Sequence, residues 1–249
     1  MKIVSWNCNG ALRNKIKEID KLNADILIIQ ECENPAKSVA KYQEWAGNYL
    51  WIGDNKNKGI GVFPKNNHSV KIKELFGKFK ISGISSTSTS LSWDTKSLRL
   101  FLPFSIDTSI DVLGVWTKGS DSEAFGYMGQ FWKFLQIHRK DLSKDEQLII
   151  GDFNSNKQWD KKDRWWNHSD VIKELSDMGL GSLYHQYFTE TQGDESIPTF
   201  YLHKNKMKSY HIDYAFISKK YHNSTIEIGQ SDKWLELSDH MPLEIELRY

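Results

Sequence analysis

Short β-rich apolar runs alternating with amphipathic stripes limit this chain to an α/β architecture, because each pattern must bury its apolar side against the other. Residues 2–6, 26–30, 59–63, 98–102, 112–116, 148–150, 211–217 and 243–247 read as strands bounded by polar residues. Between the first two, Leu12, Ile16, Ile19 and Leu22 fall on one face of a helix. Met128, Phe131, Leu135 and His138 repeat that stripe before the strand at 148, and Val171, Leu175 and Met178 repeat it again, ended by Gly179. Residues 81–92 are rich in Ser and Thr, have no helical stripe, and predict strands and loops.

The chain has 249 residues, long enough for a sizeable core, and neither a proline-rich linker nor an internal repeat divides it. Its polar motifs run from Asn7 to His240, so a site built from them requires residues 1–249 to form a single domain. The 33 Lys and Arg nearly cancel the 32 Asp and Glu, so net charge alone does not mark a polyanion-binding protein. Basic residues nevertheless cluster at Lys56 and Lys58 and in 71–80, 157–164 and 204–208. The two cysteines, Cys8 and Cys32, read as small packing residues, since two thiols without a third soft ligand make a poor zinc site. With no charged-then-apolar leader and no membrane-length apolar run, the expectation is a cytoplasmic monomer with no membrane or protein partner.

Acid and amide side chains gather at the strand ends. Asn7 and Asn9 follow the first run, Glu31 the second, and Asp152 and Asn154 the run at 148. Asp213 lies within the run at 211, and Asp239-His240 precedes the terminal one. Strand ends are where α/β sheets expose functional groups on a rigid base. Gly151 is expected to give the chain room to turn, and an extended backbone would aim Asn154 the same way as Asp152. Pro242 holds Met241 extended and stiffens the approach of His240 to its strand. One imidazole among many oxygen donors is the kit of metal-assisted phosphoester hydrolysis.

This ordered set resembles the endonuclease/exonuclease/phosphatase superfamily, with its exonuclease III and DNase I-like members, over essentially the whole chain. The resemblance implies a four-layer α/β sandwich, two packed sheets flanked by helices, with the site at one end of the sheets. It further implies Glu31 as principal carboxylate ligand of a divalent cation, with Asn7 and Asp239 beside it. The cation would be Mg²⁺, with Mn²⁺ able to substitute. Asp152 matches the residue that orients or deprotonates the attacking water, and Asn154 the amide that positions water or phosphate. His240 matches the imidazole on the phosphate, and Asp213 the carboxylate that fixes its tautomer. The resemblance leaves the base open between Asp152 and the His240–Asp213 pair, and leaves the number of cations open.

Trp116 stands where the family carries an active-site Tyr or His, and is either a single phosphate contact or a packing wall. Residues 198–213 lack the Trp and Arg of abasic-site enzymes, and the Trp-Cys-Asp-Arg element of inositol-phosphate phosphatases is absent too. Substrate contacts are expected from Asn9, Trp116 and Lys58, and from Trp165 and Trp166, whose loop at 157–166 interleaves aromatics with cations as a base-stacking surface does. The sequence thus predicts a Mg²⁺-dependent phosphodiesterase acting on nucleic acid, DNA first, with a phosphomonoesterase or phospholipid phosphodiesterase as the alternative.

Overall fold

The computed structural model describes residues 1–81, 91–119 and 125–249. The first sheet and its neighbour begin with β1 (Lys2–Asn7), β2 (Ile26–Cys32), β3 (Leu50–Asn55), β4 (Lys58–Pro64) and β5 (Val70–Ile72). A small hairpin, β6 (Lys78–Lys80) and β7 (Ser92–Asp94), precedes β8 (Phe101–Ile106), β9 (Ile110–Trp116), β10 (Gln147–Asp152) and β11 (Leu180–Ser182). A second hairpin, β12 (Phe200–Tyr201) and β13 (Ser209–Tyr210), leads into β14 (Asp213–Ser218), β15 (Thr225–Ile228) and β16 (Leu243–Glu246). One six-stranded sheet has the order β15-β16-β1-β2-β4-β3 and the other β11-β14-β10-β9-β8-β5.

Side-chain alternation along these strands builds the layers. Ile26 and Ile28 of β2 face Leu148 and Ile150 of β10 in a core between the sheets, together with Ile60, Leu102, Val112 and Ala215. Leu27 and Ile29 point the other way, onto Leu12, Ile16 and Ile19. Behind the second sheet, Leu113, Val115, Ile149 and Phe216 meet Met128, Phe131 and Leu135 of α3 (Met128–Leu142) and Val171 and Leu175 of α4 (His168–Asp177), the α-helices α1 and α2 preceding them at Ile16–Asp20 and Ala40–Ala46. Helices, sheet, sheet and helices make the four layers, and burial on both faces explains why the central strands read as continuous apolar runs.

Three details differ from the sequence expectations. The stripe from Leu12 to Leu22 is a 3₁₀ turn, Leu12–Asn14, followed by the short α1, because Lys15 (φ −116°) breaks the helical path. The strand expected at 98–102 begins only at Phe101, since Asp94 caps a 3₁₀ turn over Thr95–Ser97 and Leu100 takes φ 65°. Gly151 does not turn the chain; β10 runs on through Asp152, and a Cβ at Gly151 would lie 1.9 Å from the Val115 carbonyl oxygen. The expectation for 81–92 falls largely outside the described residues, of which Ser92 opens β7. No helix among the described residues is long and apolar enough to cross a membrane.

Candidate active site

At one end of the two sheets, strand pairing brings the separated motifs together. Asp152 and Asp213 are direct partners across β10 and β14, Trp116 is the partner of Asp152 on β9, and Asn7 pairs with Gln30 across β1 and β2. A break in register between Gln30 and Cys32, with Glu31 at φ 60°, turns the Glu31 side chain out of its strand's alternation. The segment carrying His240 follows the first sheet's edge and forms a single bridge to Phe200.

Asn7 ties the sheets to each other. Its Nδ2 donates to Asp152 Oδ2 at 2.9 Å and lies 3.4 Å from Glu31 Oε1. Asp152, 0% exposed, also accepts the Asn154 side-chain amide at 2.9 Å and the Asn154 backbone N–H at 2.9 Å. Asn154 achieves this from a left-handed backbone (φ 45°) rather than the extended one expected. His240 holds Asp213 through Nδ1, at 3.0 and 3.2 Å from the two carboxylate oxygens, which leaves Nε2 3.9 Å from Asp152 Oδ2.

The charges follow from this enclosure. Burial pushes Asp152 up to about 7, with Asp213 adding to the rise and His240 and the Asn7 hydrogen bond opposing it. Burial would pull His240 down, but the Asp213 and Asp152 carboxylates outweigh it and raise the imidazole to about 9. An imidazolium clamped by one carboxylate beside a second, protonatable carboxylate can hold a phosphate oxygen and accept a water proton.

Supporting groups outside the expected set fix this arrangement. Thr199 Oγ1 accepts the N–H groups of both Ile212 and Asp213 at 3.0 Å. Ser238 Oγ donates to the Asn7 carbonyl at 2.7 Å and accepts the His240 N–H at 3.0 Å, and the Trp6 indole donates to the His240 carbonyl. Behind Asp152, Asn156 Nδ2 reaches the His211 carbonyl and Glu195 Oε2, each at 3.0 Å. Apart from Trp6, which lies in the first apolar run, none of these lies in an apolar period.

The residues expected to hold a cation, Asn7, Glu31 and Asp239, come from β1, β2 and the segment before β16, and the Lys58 ammonium already sits on Glu31 Oε2, so this carboxylate attracts positive charge. Hard oxygen donors of this kind suit Mg²⁺ or Mn²⁺. A different group, Asp152, Asp213 and His240, has all its ligand atoms within 4.8 Å of one another. An imidazole drawn toward its cationic form is a poor ligand there, and its two carboxylates already accept hydrogen bonds.

The expected substrate contacts are distributed differently. Trp116 is 5% exposed and belongs to the cluster between the sheets, with the Lys118 ammonium 5.5 Å from its ring. Lys58 is paired with Glu31, and Asn9 is exposed, its N–H on Asn7 Oδ1 at 3.0 Å. Trp165 leans edge-on against Trp132 and Phe125, and the Trp166 ring lies 4.0 Å from that of Phe125. Cys8 and Cys32 are buried free thiols, and burial raises Cys8 to about 12.

A sequence model of the endonuclease/exonuclease/phosphatase family matches residues 4–240. The chain belongs to that family. It is accordingly a metal-dependent hydrolase of phosphodiester bonds. No curated protein matches it. Among solved structures it is similar to a variant of the 3′ phosphatase NExo from Neisseria bound to a product DNA hairpin, with TM-score 0.71, 18% identity and 100% of each chain covered. An AP endonuclease from Archaeoglobus fulgidus superposes with TM-score 0.66 at 17% identity, again over 100% of each chain. Truncated TDP2 from Caenorhabditis elegans gives 0.60 at 14%, covering 98% of this chain and 96% of that one. At these identities the likeness establishes the shared DNase I-like fold.

Proposed function

We propose that the protein is a Mg²⁺-dependent nuclease that cleaves DNA by direct attack of water, with Mn²⁺ able to substitute. The observation that carries this reading is the enclosure of Asp152 by Asn7, Asn154 and His240. Asp152 takes a proton from the attacking water, whose oxygen joins phosphorus as the bond to the leaving oxygen breaks. Asn7 and Asn154 fix the carboxylate, and both retain amide or carbonyl capacity for the water. His240, oriented by Asp213, donates from Nε2 to a non-bridging phosphate oxygen as charge builds there. A divalent cation held by Glu31, Asn7 and Asp239 would neutralise charge on the phosphate and the leaving oxygen. Asn9 supplies a further phosphate contact in this reading. Residues 1–249 act as one domain, as a cytoplasmic monomer; the two buried free thiols support a reducing compartment.

Supercoiled plasmid, linear duplex, single strands, abasic duplex, RNA and a chromogenic phosphate monoester, each with Mg²⁺ or chelator, test the proposal. Cleavage of DNA that chelator abolishes is expected. Turnover of the monoester alone would sink it. A second reading, removal of a terminal phosphate from DNA, draws support from the similar structure described as a 3′ phosphatase with product DNA.

A further inference from the structure

A cleft of about 440 Å³ opens on the far side of Asn154, a size within the usual range for small-molecule sites of roughly 300–1,000 Å³. Its walls include Tyr127, Trp159 and Trp166, and its rim carries Lys161 and Arg164. Tyr127 and Trp159 are 45% and 43% exposed, so both rings can be reached from solvent within the cleft. Among the described residues neither cation is paired with a carboxylate; Arg164 lies 5.8 Å over the Trp166 ring. The nearest acid, Asp160, is turned to the start of α4, where its oxygens accept the His168 and Ser169 N–H groups.

Two routes join the cleft to the reacting centre. At one end it includes Asn154, whose amide is on Asp152. At the other, Trp159 is the outer member of a row of rings: Trp159 to Tyr210 at 5.2 Å, Tyr210 to Phe200 at 6.4 Å, and Phe200 to His240 at 4.6 Å. One exposed indole beside cations that no carboxylate pairs, contiguous with a phosphodiester site, matches the chemistry of an unpaired base with its phosphate.

We infer that this cleft binds one nucleotide of a single-stranded segment adjoining the scissile bond, its base against Trp159 and its phosphate on Lys161 and Arg164. The inference rests on the nuclease reading and adds to it a subsite and a strand state. A duplex keeps its bases stacked on one another and cannot offer one to Trp159 without first losing that stacking.

Binding is measured apart from catalysis, by fluorescence anisotropy of a labelled single-stranded oligonucleotide in chelator, with thermal melting to confirm folding. Trp159→Ala and Arg164→Glu are each expected to weaken binding about tenfold or more. Hydrolysis of bis(p-nitrophenyl) phosphate with Mg²⁺, too small to reach the cleft, should stay within about twofold of wild type. Unchanged oligonucleotide affinity in both folded variants would overturn the subsite. Failure of the wild type to hydrolyse any diester would instead remove the nuclease reading, while the anisotropy result still decides the cleft.

Discussion

Asn7 divides one amide nitrogen between two carboxylates, Asp152 on one sheet and Glu31 on the other. Replacing Asp152 with Asn keeps the shape but removes the proton acceptor, so kcat on a DNA substrate should fall about 100- to 10,000-fold with little change in melting temperature. Full activity in folded Asp152→Asn would refute its role as base. His240→Asn should cost a comparable factor, whereas Asp213→Asn, which keeps a side chain on the ring but removes the charge that raises His240, should cost less. Glu195 allows a test of pH. Burial opposes its charge, but hydrogen bonds from His185, the Gly193 N–H and Asn156 outweigh that and hold it near about 2. A carboxylate depressed in this way contributes its full stability above its unfolded value of about 4.5 and loses it as pH falls toward 2, an effect of about 2 kcal/mol. Urea denaturation between pH 5 and about 2.5 should show that loss in the wild type and a flatter profile in Glu195→Gln.

At the scale of elements, Gly151 shows how one residue sets a strand's neighbour. Ala at this position would overlap the Val115 carbonyl and push β9 from β10, so Gly151→Ala should lose roughly 3 kcal/mol or more of stability in denaturant titration. Loss under about 1 kcal/mol would mean that the strands can shift apart cheaply. The central strands were legible in sequence because both of their faces are buried, as in β2 and β10. The edge strands β3 and β5 were not: their side chains are half-buried or exposed and carry no apolar period. The site residues were legible where a motif ends a central strand, at Asn7 and Asp152. Thr199 and Glu195 were hidden because their work is done by hydrogen bonds to backbone and side chains far away in sequence. For Trp116 the motif position left two roles open, and the ring lies in the core between the sheets.

For the molecule as a whole, the proposed reaction groups straddle the two sheets. Asp152, Asn154 and Asp213 belong to one, while Asn7, Glu31 and the His240 segment belong to the other. A cation on Glu31, Asn7 and Asp239, which only the folded first sheet brings near one another, should stabilise the fold as well as the reaction. At about 100 times its Kd, Mg²⁺ should add about 2.7 kcal/mol, read as a rise in melting temperature. Glu31→Gln should remove most of that rise; an undiminished rise would place the cation elsewhere. Ile28→Ala, in the core between the sheets and away from the reacting groups, should cost about 2–5 kcal/mol.

The amide of Asn7 has a fixed reach, and that gives the aliphatic filling between the sheets a second task. Its thickness acts as a gauge for the chemistry: side chains one methylene larger or smaller at positions such as Ile60 or Ile150 would change the gap that Asn7 and the His240–Asp213 contact must span. Changes of volume there should alter activity through residues that never meet a phosphate.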